Sequence, residues 1–482
     1  MSLSALRAWL PSEFLALLLM ALLASTALEL SAGLWRLNVL LLDAQLRLWT
    51  HEQPEDVVIV GIDENSLRQL GRWPWSRRMH ADLLDRLSAA GARVIGFDVL
   101  FVEPQQDDMA ADRALADAVA RSGRVVFPVV PEQTRLGGML VEQLPLPEIA
   151  AEAAAFGHVD VELDRDGLSR QVYLMAGLGN PHWPALALAM VNLVEPERVG
   201  RLPGQQRGAD RVSATGNALG GTSAGGLSND VIGRRWVRDY RVIVPYVGPS
   251  GHFKRVSYAD VLDGRVPEDV FLNRYVLIGM TASGLADIIP TSISGHASPM
   301  PGVEFNANLV EAIRDGRLIE PMPKTLALLL TLLLTIVPLL VYPRLSPRVN
   351  LLVVLAVLAG IVVLEAGLLV ILNIWFAPAT ALVCVLVSYP IWAWRRLEGA
   401  LRYLDAELAD LRRLRTRVPA QRELPTAEAV AVTCQLLGTE PWTLFSVRRG
   451  RVRGLLRRGP RARAESLVSV AEAVSFAPGG AG

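Results

Sequence analysis

Residues 56–101 read DVVIVGIDENSLRQLGRWPWSRRMHADLLDRLSAAGARVIGFDVLF, and the fold is decided there. VVIVGID, residues 57–63, is a short apolar run rich in β-branched side chains, the pattern of a parallel strand buried on both faces. In the segment that follows, Met79, Leu83, Leu84 and Leu87 recur at helical spacing and Gly91 stops the helix. RVIGFDVLF, residues 93–101, is the next strand. DDMAADRALADAVARSG then predicts a second helix ending at Gly123, and RVVFPVV a third strand. Strands alternating with helices predict an α/β domain with a mainly parallel sheet.

Further along the pattern is less regular. FGHVDVELDRDGLSRQVYLM, residues 156–175, predicts a hairpin turning at DRDG. Residues 183–194 predict a helix, and 201–230, rich in Gly, Ser, Ala and Gln, a long loop. Order returns with RVIVPYVG, a helix around 258–262, the strand YVLIGM (275–280) and a helix over 304–315.

The domain is embedded in an apolar chain. Of 482 residues 51% are hydrophobic and the mean hydropathy is +0.32, which argues for membrane spans. A span takes about 20 apolar residues of helix. Four stretches qualify by eye: 14–30, running on without a break into an amphipathic segment over 34–49, and then 325–342, 351–372 and 375–394. The first has a longer apolar core than a signal peptide and no A-x-A site, so it reads as an anchor. Arg7, Arg344, Arg348, Arg395 and Arg396 flank these stretches on one side, which the positive-inside rule makes cytoplasmic. The expected plan is a cytoplasmic segment 1–13, a span 14–33, an exported domain 34–323, spans at 325–342, 351–372 and 375–394, a cytoplasmic helix 395–417 and an arginine-rich tail 418–482. Glu29 and Glu365 fall in outer halves of their helices, either as snorkelling acids or as proton or ion handlers.

The 48 bases and 48 acids cancel, so no chain-wide basic surface exists and nucleic acid is not an expected partner. The cancellation is uneven: residues 395–482 hold 16 bases and 9 acids, residues 1–394 hold 32 and 39. Two cysteines, Cys384 and Cys434, cannot build a disulfide framework or a four-cysteine zinc site. No dinucleotide fingerprint, P-loop, G-x-S-x-G or H-E-x-x-H is present, so no cofactor, no metal and no enzymatic activity is expected.

Carboxylates near strand ends are the sharper signal: Asp63 after the first strand, Asp98 at the end of the second, Asp287 after YVLIGMTASG. Open α/β sheets bind ligands at that edge, with Thr281 and Ser283 as added donors. The same aspartates also suit helix caps and turns, or a hard cation. GRWPWSRRMHADLL places Trp73, Arg77, Arg78 and His80 around Pro74. That loop either clamps a planar or anionic ligand or fills the sheet edge with apolar bulk. The candidate ligand-binding set is therefore Asp63, Trp73, Arg77, Asp98, Thr281 and Asp287.

Four blocks in order carry a resemblance: VVIVGIDENSLRQLGRWPWSRRMHADLLDRL, ARVIGFDVLFVEP with DDMAADRALADAV, YVLIGMTASGLADIIPTSIS and MPGVEFNANLVEAI. Over roughly residues 43–318 the chain resembles the type 2 CHASE domain, the second class of cyclase/histidine-kinase-associated sensory extracellular domains of bacteria. The resemblance implies a receptor module of undefined ligand, with one span before it and three after, and it brings no catalytic residues.

After residue 394, Leu397, Leu401, Leu404, Leu408 and Leu411 are spaced 4, 3, 4, 3, the seam of a short coiled coil. It reads as a signalling helix between two protomers, or as a solitary amphipathic helix. The family normally continues into an output domain, yet all six histidines precede residue 300 and no kinase or cyclase motif follows. Eight arginines fall in residues 448–463, a run that suits an anionic surface, a disordered tail or a frameshifted end. The expectation is a multi-pass receptor of the bacterial cytoplasmic membrane, both termini inside. Its expected partners are the membrane, an extracytoplasmic ligand, a second copy of the chain and a cytoplasmic output protein. The alternative is a membrane-anchored enzyme using the extracytoplasmic carboxylates.

Overall fold

The computed structural model describes residues 12–48, 54–133, 140–204, 235–285, 287–417, 442–448 and 451–458. Two compact units divide it, Met1–Trp392 and Ala393–Gly482. The first begins with α1 (Ser12–Ser31) and α2 (Trp35–Leu48). These do not run on as one rod. Ala32 takes a left-handed φ of 50°, and the axes bend by 72°. The bend separates an all-round apolar helix from an amphipathic one that buries Val39, Leu42, Asp43 and Leu46.

The α/β domain follows as β1 (Val57–Ile62), α3 (Glu64–Leu70), α4 (Arg77–Ala89), β2 (Val94–Asp98), α5 (Met109–Ser122), β3 (Val125–Gln133), β4 (Leu140–Gln143), α6 (Pro147–Glu152) and β5 (Ala155–His158). Next come β6 (Gln171–Leu178), β7 (Trp183–Pro184), α7 (Leu186–Val194), α8 (Pro196–Val199), β8 (Trp236–Ile243), β9 (Lys254–Ser257) and α9 (Tyr258–Leu262). The domain closes with β10 (Tyr275–Met280), the hairpin β11 (Ile288–Thr291) and β12 (Gly295–Pro301), and α10 (Gly302–Arg314).

The main sheet runs β4-β3-β2-β10-β1-β9, with β5 also on β3. All its pairings are parallel except β3 with β4. Every residue of β1 is buried, and the two-residue period of a strand sorts them by face. Val58, Val60 and Ile62 meet α4, α5, α6 and α9; Val57 and Ile59 meet α7, α10 and the small sheet β7-β6-β8. At about 1.5–3 kcal/mol for each fully buried aliphatic side chain, this two-sided burial is what holds the strands together.

Two local expectations fail. Residues 156–175 make no hairpin: β5 pairs with β3 and β6 with β8. DRDG does turn, with Gly167 N donating to Asp164 O at 2.9 Å, but its arms enter different sheets. Gly157 explains β5, since a Cβ there would lie 2.5 Å from the backbone of Leu186; only glycine lets α7 approach so closely. The helix expected over 183–194 begins at Leu186, because Trp183 and Pro184 pair with β6. The expected long loop lies largely outside the described residues, over 205–234.

β13 (Glu320–Pro321), just before the apolar helix α11 (Lys324–Val341), pairs with β14 (Ile374–Trp375), just after the apolar helix α12 (Pro347–Leu372). Among the described residues, these two helices are long and apolar enough to cross a membrane, or three spans if the bent α1–α2 pair is counted as one. Four were expected. The stretch 375–394 falls short because Trp375 lies in β14 and the chain enters α13 (Ala379–Arg417) only at Ala379. Its apolar part then meets Arg395 and Arg396 before reaching the roughly 20 residues a span needs.

In the second unit Leu397, Leu401, Leu404, Leu408 and Leu411 are all more than half exposed on α13. β15 (Trp442–Arg448) and β16 (Arg451–Arg458) form an antiparallel pair inside the arginine-rich segment. The rest of the tail, 418–441 and 459–482, lies outside the described residues, as does most of the N-terminal segment 1–13.

Candidate functional site

β2 and β10 are neighbours, Tyr275 to Gly279 facing Val94 to Asp98 in register. They part at their carboxyl ends. β2 leads to α5 on one face of the sheet, while β10 leads through the β11–β12 hairpin to α10 on the other. Adjacent strands whose connections leave on opposite faces open a crevice between them. A cleft of about 430 Å³ lies there, lined by Trp73, Arg77, Asp98, Glu103, Asp287 and Gly302, with Val99, Val102, Met280 and Val303. Its size falls within the usual range for small-molecule sites.

Each lining group has a local reason to be where it is. Asp98 ends β2, and its Oδ2 accepts from Asn306 Nδ2 of α10 at 3.3 Å. Burial pushes the Asp98 carboxyl up to about 6; the Asn306 amide opposes the shift and the nearby Asp287 carboxylate adds to it. α10 can come this close because residue 279 is glycine: a Cβ there would sit 2.7 Å from Val303 Cβ and 3.2 Å from Asp98 Cβ. Asp287 is exposed, and its carbonyl accepts from Gly302 N at 2.8 Å, so the two ends of the hairpin are tied at the cleft. Arg77 opens α4 with its guanidinium 4.7 Å over the Phe101 ring. It also reaches the Glu103 carbonyl at 3.3 Å and Asp112 at 3.5 Å.

Trp73 stands on an aromatic bed. Its ring lies 5.2 Å from Trp75 and 5.6 Å from His80, and Trp75 packs 4.9 Å from Tyr258. His80 is fully buried, and desolvation, with Arg77 adding, lowers its pKa to about 3. A neutral imidazole is what that pocket holds; its Nδ1 meets the Tyr258 hydroxyl at 2.7 Å. The WPW loop therefore does both things considered for it: Trp75 and His80 fill the sheet edge, while Trp73 and Arg77 face the cleft.

Four of the six sequence candidates thus share one site, and two do not. Asp63 caps α3, its Oδ1 accepting from Ser66 N at 2.8 Å, Ser66 Oγ at 2.6 Å and Ser257 Oγ at 2.8 Å. Thr281 lies against β1, where a Cβ on Gly61 would be 2.5 Å from its Oγ1. The three aspartates do not converge, and among the described residues no group of three or more His, Cys, Asp and Glu is placed to hold a metal ion. Sequence reasoning missed Glu103 and Asn306. The second had a signal: asparagines at 306 and 308 interrupt an otherwise apolar helix face.

A second polar cluster also escaped it. Arg170 is 1% exposed and is held by three aspartates: Asp43 at 2.7 and 2.8 Å, Asp164 at 2.9 Å, and Asp166 at 2.9 and 2.8 Å. Asp43 belongs to α2 and the others to the DRDG turn, so the cluster ties α2 to the α/β domain.

The model of the CHASE2 domain family matches residues 15–341. The chain belongs to the CHASE2 family. No curated protein matches it, and neither does any solved structure. CHASE2 is a sensory extracellular domain, and in this member the cleft, the Arg170 cluster and the two apolar helices α11 and α12 all fall in or beside the matched segment.

Proposed function

We propose that this CHASE2 protein is a receptor of the bacterial cytoplasmic membrane that reads a small polar molecule outside the cell at the β2/β10 cleft. The observation that supports this reading is the cleft itself. It sits at the one kind of sheet position where connections diverge, and it offers an aromatic face, a guanidinium and three carboxylates within one mouth, that of Asp98 pushed up by burial. Arg344 and Arg348, between α11 and α12, favour a cytoplasmic position for that loop, and Arg7 favours the same side for the residues before α1. Output then passes along the leucine seam of α13, in a parallel pair with a second copy, to a partner protein. In that pairing Glu407 of one copy falls opposite Arg412 of the other, as g and e positions do.

The test is a thermal-shift screen of amines, amino acids, carboxylates and sugars against the full chain in nanodiscs. Stabilisation by a compound that Trp73→Ala and Asp98→Asn each reduce tenfold or more in affinity is expected. Binding that survives both substitutions overturns the assignment of the cleft.

A further inference from the structure

The β11–β12 hairpin has its root in the cleft and its tip on α2. At the root stand Asp287 and Gly302, joined by a backbone hydrogen bond. Three residues beyond Asp287, Pro290 O accepts from Ser169 N at 2.7 Å, and the next residue, Thr291, bridges to Ser169, the residue before Arg170. At the tip, the carbonyl of Ser292 accepts from Arg47 of α2 at 3.3 and 3.4 Å. Thr291, Ser292, Ser169 and Arg170 are all fully or almost fully buried. The hairpin is therefore packed into the domain at its tip, and at Met300 near its root, so a shift at one end is felt at the other.

α2 is held from both sides. Asp43 takes Arg170 of the sensor domain, and Gln45 donates to Glu365 of α12. Two residues of helix turn through about 200°, so these bonds leave α2 on opposite faces. Leu42 and Leu46 fill the remaining face with Ile243, Ile319 and Leu369. Both joints contain buried polar atoms without partners among the described residues: Ser169 Oγ and Ser292 Oγ at the hairpin tip, Gln45 Oε1 and Glu365 Oε1 at the helix contact. An unmade buried hydrogen bond costs about 1–3 kcal/mol. Each joint can gain by rearranging, which is the property a two-position element needs.

We propose that the β11–β12 hairpin is the mechanical link that carries occupancy of the cleft to α2, and through Gln45–Glu365 to the membrane helix α12. This rests on the cleft being the sensing site and names how that site is read. Closing a ligand between Asp98 and Asp287 moves the hairpin root relative to β2. The tip then displaces Ser169–Arg170, and α2 moves because Arg170 holds its Asp43 and the Ser292 carbonyl holds its Arg47.

The experiment needs no natural ligand. In the full chain with Cys384 and Cys434 replaced by serine, Glu103→Cys at the cleft mouth is labelled with fluorescein maleimide as a steric occupant. Hydrogen exchange is then followed by mass spectrometry in nanodiscs. The expected result is a change of threefold or more in exchange over 288–301 and over Trp35–Leu48, with α5 unaffected. Adding Arg47→Gln should at least halve the response of α2 while the hairpin response persists. A labelled cleft that leaves α2 unchanged overturns the link, and so does an α2 response that is full in Arg47→Gln combined with Asp43→Asn. Failure of the cleft as a ligand site shows separately, as compound binding indifferent to Trp73→Ala.

Discussion

The two acidic clusters of the sensor domain are built on opposite terms. At Arg170, one guanidinium with five donors satisfies three aspartates in a buried setting. At the cleft, Asp98 has a single amide donor and Asp287 beside it, with solvent on the open side. Saturated charge resists rearrangement, because moving any member leaves another buried and unpaired. Unsaturated charge is free to accept something new. The domain thus keeps its rigid and its receptive electrostatics in separate places.

The comparison breaks most visibly at the saturated end. Arg170→Met should cost about 3–5 kcal/mol, the penalty for leaving buried carboxylates without their partner, read as a large fall in the melting temperature of the full chain in detergent. A loss under about 1 kcal/mol would mean that the cluster behaves as a surface pair.

Asp98→Asn should act with the opposite sign. The carboxyl titrates near 6 in the folded chain against 3.8 as its ordinary value, so between those values the folded state holds the extra proton. Stability then falls as pH rises through about 6. The asparagine variant should lack that fall and be the more stable protein above it, by on the order of 1 kcal/mol. Melting temperature followed from pH 4 to pH 8 checks the slope; an unchanged slope would remove Asp98 as its source.

Asp63 sharpens the contrast, being an aspartate satisfied by a helix end instead of an arginine. Asp63→Ala should cost about 1 kcal/mol, the worth of an N-cap, and leave ligand binding untouched. The exposed pair Arg78–Asp108, 2.7 Å apart, marks the bottom of the scale. Arg78→Ala should leave the urea midpoint of unfolding unchanged, with and without added salt, since solvent screens so exposed a pair.

Much of this was legible in the sequence, for local reasons. β1, β2 and β10 are runs of β-branched residues with no alternative, and α4 and α5 carry both their apolar periodicity and their stops. Trp73, Arg77, Asp98 and Asp287 were picked as candidates because strand ends are where such sheets bind. Their meeting was not legible, because β10 inserts between β1 and β2 from far along the chain, and register between distant strands has no local signature. The DRDG segment misled for a related reason. Its turn chemistry was read correctly, but its arms were assigned to each other when Asp164 and Asp166 were placed to hold Arg170. The stretch 375–394 looked long enough to span, but its helix starts only at Ala379.

The two-residue spacing of Asp43 and Gln45 on α2 has one last consequence, in degrees of freedom. A helix bonded on a single flank can roll about its own axis around that bond. Bonded on opposite flanks to two bodies, it cannot roll without breaking one bond or the other, since rotation carries the two attachment points in opposite directions. Sliding along the axis moves both attachment points the same way and costs each only a small change of angle. With the 72° bend at its entrance, a slide of α2 would push α1 sideways, so this geometry permits a stroke and opposes a twist.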